Sequence, residues 1–141
     1  MAMIDIENLV YTNVRNAVKT YNANISTSGN YADVPSSFPH VSVEETDNAA
    51  VANAISTSDR EYAANVTFTV NIFTNTATAK TDAKAIAAVV NDAFTDMGFV
   101  RSMKQEMPNI DRTIYRLIMR FQATVWRAFD GEDGHYNITA R

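Results

Sequence analysis

The sequence predicts an α+β fold: a four-stranded, mainly antiparallel sheet with two helices packed on one face, then a C-terminal hairpin or tail. Three observations lead there. Residues 113–125, TIYRLIMRFQATV, alternate with period two. Residues 65–74 do the same with Val66, Phe68, Val70 and Ile72 on one side. Two further segments repeat apolar residues at the 3.6-residue helical period. Striped helices and a one-sided sheet bury their apolar surfaces against each other, which gives two layers.

Taken in order, Ile6, Val10, Val14, Val18 and Tyr21 mark a first amphipathic helix, with Asp5 and Glu7 at the end where its dipole favours acids. Residues 22–35 are rich in Asn, Ser and Gly and are expected to form a loop. Val41 and Val43 alternate with His40, Ser42 and Glu44, the pattern of a short strand with one wet face. Residues 45–62 read as a long connection, with helix-forming alanines near 49–55. In the strand over 65–74, Thr67, Thr69 and Asn71 are expected to face outward.

Ala83, Ile86, Ala87, Val90, Phe94 and Met97 mark one face of a second helix, which stops at Gly98. A glycine there can take the left-handed conformation cheaply, and Phe99 then falls where a Schellman stop places an apolar contact, against Phe94. Arg101, Met103, Gln105 and Met107 alternate with Ser102, Lys104 and Glu106 in a weaker strand ended by Pro108. After the strand at 113–125, Asp130-Gly131 and Asp133-Gly134 are turn signals, and Tyr136 with Ile138 suits the return strand of a hairpin. The expected layout is one α+β domain over residues 1–127, with 128–141 as a hairpin or flexible extension.

The strand at 113–125 has two unlike faces. Tyr115, Leu117, Met119, Phe121, Ala123 and Val125 form the core side. The other side mixes Ile114 and Ile118 with Arg116 and Arg120. It is either a partner-facing surface or a solvated face with two scattered isoleucines. Glu44, Thr67, Thr69, Lys104 and Glu106 are expected on that same side of the sheet. Arg112, Arg116, Arg120 and Arg127 recur along the strand, as cross-strand ion pairs or as contacts to a protein partner. The interface candidates are Ile114, Arg116, Ile118, Arg120, Trp126, Arg127 and Tyr136.

Composition narrows the classes. Of 141 residues, 46% are hydrophobic and 20% charged, which is globular content. There is no cysteine, hence no disulfide framework, thiol nucleophile or cysteine metal site. The polar N-terminus lacks a signal-peptide core and no apolar run matches a membrane span, so the expected place of synthesis and residence is a cytosol, with no membrane partner. A net charge of −4 argues against tight non-specific binding to nucleic acid.

No catalytic constellation emerges, and the chain is read as a non-enzyme with no cofactor or metal. His40 and His135 are the only histidines. The run from Asp130 to His135 lacks the length and spacing of a calcium loop and offers zinc one imidazole. Glu44, Glu45 and Asp47 are expected to keep ordinary carboxylate behaviour, because nothing apolar in the sequence nearby raises a pKa. No glycine-rich loop is available to cradle phosphate.

The N-terminal helix, F-P-H-V at 38–41, the strand over 66–73, the alanine-rich helix over 79–99 ending in G-F-V-R, and D-R-T-I-Y-R at 111–116 resemble the tail terminator, or tail completion, proteins of long-tailed bacteriophages. The resemblance runs over roughly residues 1–127. It implies a virion structural protein located at the tail and neck, made in the host cytoplasm. Such subunits form a hexameric ring that caps the tail tube, ends its polymerisation and meets the head connector or head completion protein. DNA passes through the channel without specific binding. Two alternatives remain: a peptide- or protein-binding adaptor that works by strand addition, and a small hydrolase on a ferredoxin-like scaffold, which would need Arg101 and Asn109 to converge on an anion.

Overall fold

The computed structural model describes residues 3–31, 34–51, 62–108, 111–127 and 136–140. Helix α1 spans Glu7–Tyr21 and buries Val10, Val14 and Val18. The Asp5 carboxylate accepts a hydrogen bond from the Glu7 N–H at 3.0 Å, meeting one of the donors left open at the helix start. Helix α2 spans Ala79–Met97 and buries Ala83, Ile86, Ala87, Val90 and Phe94. Thr76 and Thr78 donate hydroxyl hydrogen bonds to Asp82 in its first turn, at 2.6 and 3.1 Å.

The end of α2 follows the expected stop. Gly98 has φ +104°. Its N–H donates to the Thr95 carbonyl at 3.0 Å, and the Phe99 N–H donates to the Phe94 carbonyl at 2.9 Å. These are the two bonds of a Schellman motif, and they satisfy carbonyls that the helix end leaves open. The Phe94 and Phe99 rings then meet edge to face with centroids 5.2 Å apart. Phe94 also stacks on Phe121 at 4.1 Å and lies 6.1 Å from Phe68. Each such pair adds about 0.5–1.5 kcal/mol beyond area burial, so this aromatic group fixes α2 on the sheet.

Among the described residues, six strands form one sheet: β1 (Ser26–Ser28), β2 (His40–Ala50), β3 (Ala63–Thr74), β4 (Val100–Met107), β5 (Tyr115–Arg127) and β6 (Tyr136–Ala140). The order is β1-β2-β3-β5-β4, and β6 also pairs with β5. β4 pairs with residues 116–122 of β5, and β6 pairs with residues 123–127, so the two lie end to end along one side of β5. β1 is parallel to β2; every other pairing is antiparallel. Both helices pack on one face, against Val41, Val43, Val66, Phe68, Val70, Ile72, Leu117, Met119 and Phe121. No helix among the described residues is long and apolar enough to cross a membrane.

The expected four-stranded, mainly antiparallel sheet is therefore corrected to six strands in a mixed sheet. Three local expectations fail with it. Ser26–Ser28 lies inside the segment expected to be a loop, yet forms the parallel edge strand β1. Its Ser-Thr-Ser sequence has no apolar alternation; parallel pairing with residues 40–42 holds it. β2 runs on to Ala50, through residues expected to form a connection. Pairing with β3 holds that polar stretch, with a bulge that sets Thr46 out of register. Ala49 and Ala50, read as helix-forming, are thus strand, and residues 52–55 lie outside the described residues.

The faces also need correction. Lys104 and Glu106 sit opposite Met119 and Leu117, which puts them on the helix side of the sheet and not on the far side. β4 is the outermost strand and six of its eight residues are exposed, so core-side positions there can be charged. Thr67, Thr69 and Asn71 do point away from the helices, but all three are buried.

Candidate subunit interface

The face of β5 that turns away from the helices carries Arg116, Ile118, Arg120, Gln122, Thr124 and Trp126. Its two ends differ. At the first end, Arg116 donates from Nε to Asn71 Oδ1 at 2.8 Å, and its guanidinium lies 4.6 Å from the centre of the Tyr31 ring. Tyr31 in turn packs on Phe73 at 6.0 Å. Tyr31 thus covers this end, and Arg116 is engaged inside the subunit. At the other end, Asn65 accepts from Thr124 at 2.7 Å, and Trp126 donates from Nε1 to Thr139 at 3.3 Å while staying 42% exposed.

The seven interface candidates divide accordingly. Arg120 and Trp126 are exposed on the far face. Arg116 is half-buried there, and Ile118, on the same face, is only 6% exposed. Ile114 is buried in the turn before β5. Arg127 is buried and pairs with half-buried Tyr136, which packs on the core at the helix side. The structure therefore brings Arg116, Ile118, Arg120 and Trp126 onto one face and leaves Ile114, Arg127 and Tyr136 off it.

His40 is held between hydroxyls. Ser26 Oγ is 2.6 Å from Nδ1 and Ser28 Oγ is 3.0 Å from Nε2, while Ser37 donates to Ser26 at 2.9 Å. Burial pushes the imidazole pKa below its ordinary value, because desolvation disfavours the charged ring. Both ring nitrogens are occupied by serines of β1, and no carboxylate contacts the ring among the described residues. The group ties β1 to β2; it is not arranged to activate a nucleophile.

Asp5, Glu7 and Glu45 bring carboxylate oxygens within 4.8 Å of one another beside the β2 edge. Burial pushes the Glu45 pKa up, and Asp5, Glu7 and Asp47 add to the rise against a hydrogen bond from Asn48. This overturns the expectation of ordinary behaviour for Glu45, because β2 continues far enough to carry it under the N-terminal segment. Asn48 also donates to the Ile4 carbonyl at 2.9 Å. Arg101 donates from Nη1 to Asn91 of α2 at 3.1 Å. Asn109 and the Asp130–His135 run lie outside the described residues. A hollow of about 810 Å³ lies between Met107 and the turn at 112–116; its lining among the described residues includes Glu106, Arg112 and Arg116 and no histidine.

The charged edges at Glu45 and at Arg101 and Lys104 are absent from the sequence-derived interface candidates; Arg101 entered only as an anion-binding residue of the hydrolase alternative. The signal that finds them is strand register, which sequence periodicity does not supply.

No protein-family model matches the chain, and no curated protein sequence is similar to it. A solved structure does share the fold: a chain from the virion of a native gene transfer agent (GTA) particle. The TM-score is 0.61 at 21% identity, covering 83% of this chain and 91% of the other. At that identity the similarity establishes the α+β fold of two helices on one side of a mixed sheet.

Proposed function

We propose that this chain is a structural protein of a phage-like virion, acting as a ring subunit that caps the tail tube, ends its growth and joins tail to head connector. The observation that carries this reading is the fold match to a gene transfer agent virion chain, which spans most of both chains. The motif resemblance to tail terminators, reached from residues 38–41, 98–101 and 111–116, points the same way. The fold supports such a role physically. One sheet face is sealed by helices, while the other side offers Arg120 and Trp126, and the open β4 edge adds exposed backbone. Subunits of closed rings need two unlike surfaces of this kind.

No partner in this role needs a reactive centre, and the protein is proposed to act by docking alone. The test is native mass spectrometry of the purified protein across a concentration series, alone and with tail tubes. A closed oligomer, formed alone or on the tubes, is expected. A monomer under both conditions contradicts the reading.

A further inference from the structure

Resting on the ring reading above, we propose that neighbouring copies of this chain meet edge to edge, the basic β4 edge of one against the acidic β2 edge of the next. Three independent features of the sheet define that contact.

The first is open edges. β4 is outermost and exposed along most of its length, with Met103 and Met107 alone partly covered. On the opposite side, β1 pairs only with residues 40–42 of β2. Among the described residues, 43–50 of β2 form the remaining edge.

The second is direction. Three antiparallel steps separate β2 from β4, so the two edges run in opposite senses. A second copy placed alongside by rotation about an axis along the strands brings its β2 antiparallel to the first copy's β4. Such a contact joins unlike surfaces, and repeated rotation can close it into a ring.

The third is charge in register. Glu45, Phe68, Phe121 and Arg101 stand in one cross-strand row, with the acid at one edge and the base at the other. The neighbouring row on that face runs from Val43 to Lys104. Asp5 and Glu7 reinforce the acidic end beside Glu45. Side-by-side copies therefore set Arg101 and Lys104 at the height of the acidic group, while residues 105–107 of β4 come level with the neighbour's β1. The net charge is −4, so a basic edge is not a by-product of overall composition. Both edges also carry a bulge, between Glu45 and Asp47 and between Arg101 and Met103. Bulges disfavour indiscriminate strand pairing, which leaves charge to select partner and register. The acidic trio alone would be an ordinary exposed cluster; its place in one row with Arg101 supplies its partner.

The test uses two variants of the full chain, R101E/K104E and E7K/E45K/D47K. Each carries like charge at both edges. Each alone is expected to lose assembly, with at least about a tenfold rise in the dissociation constant. An equal mixture is expected to restore it, because the acidic β4 edge of one variant then meets the basic β2 edge of the other. Rescue on mixing also shows that both variants fold. Loss without rescue overturns the proposal. Wild-type assembly by both variants alone overturns this contact and leaves the ring reading standing. Intact rings that no longer bind tubes assign the edges to the tube protein and overturn it as well. A wild type that is monomeric alone and on tubes defeats the ring reading and this contact together.

Discussion

The backbone carbonyl oxygen of Ile138 lies 2.5 Å from the position a β-carbon on Gly98 would occupy. Two demands thus meet at one residue. The stop of α2 needs a positive φ, and β6 passes too close for any side chain. Because the obstructing atom is backbone, it cannot swing aside as a flexible side chain would. Gly98→Ala is expected to cost about 1–3 kcal/mol in denaturant unfolding, from left-handed strain plus displacement of β6. A double-mutant cycle separates the two: in a chain ending at Arg127 the cost should fall toward the strain alone, about 1–2 kcal/mol. An equal cost in both backgrounds would mean that β6 does not rest on Gly98.

Ser42 carries a fully buried hydroxyl with no hydrogen-bond partner. A buried polar group left unmatched loses its hydration without recompense. Ser42→Ala is therefore expected to raise stability by about 1 kcal/mol, read from the urea midpoint. A fall in the midpoint would show that the hydroxyl is bonded in solution.

His40 makes stability depend on pH. Its folded pKa is lowered below the ordinary 6.5 by burial, so folding favours the neutral ring. That contribution is fully present above the unfolded pKa and is lost as pH falls through the folded one. Wild-type stability should decline on acidification below about 6.5, and His40→Gln should flatten the decline. Parallel curves for the two proteins would remove His40 as the cause.

Glu45 has the opposite sign. Burial and neighbouring acids raise its folded pKa, so its ionised form opposes folding above that pKa. The penalty disappears as pH falls through the raised pKa toward the unfolded value. Glu45→Gln, which keeps an acceptor for Asn48, should stabilise the isolated subunit at neutral pH and lose that advantage in acid. The same substitution should weaken assembly, since it removes charge from the acidic edge. Thermal melting on dilute protein and sedimentation on concentrated protein separate the two effects; stabilisation in both would speak against an edge contact.

Much of the fold was legible where local chemistry and burial agree. The α1 stripe, the Gly98–Phe99 stop and the alternation in β3 and β5 each follow from spacing that a single segment carries. What was hidden depends on distant partners. Ser26–Ser28 is a strand because His40 and its neighbours lie beside it, with side-chain bonds from Ser26 and Ser28 to the His40 ring. Polar residues 44–50 extend β2 because β3 continues opposite them. Face assignments suffered most. Asn71 and Thr69 read as solvent-facing, but Arg116 and Thr46 reach over them. Of the interface candidates, Ile114, Ile118 and Arg127 are buried within the subunit, whereas Arg101 and Lys104 read as ordinary strand polarity until the register placed them opposite Phe121 and Met119.

The proposed role is to close a ring on a tail tube. Electron microscopy of growing tubes, with and without the protein, tests it most directly. A closed ring at one end of each tube, and an end to elongation once it is seated, are expected. Bare tube ends, unrestricted growth and a protein that remains monomeric would contradict it.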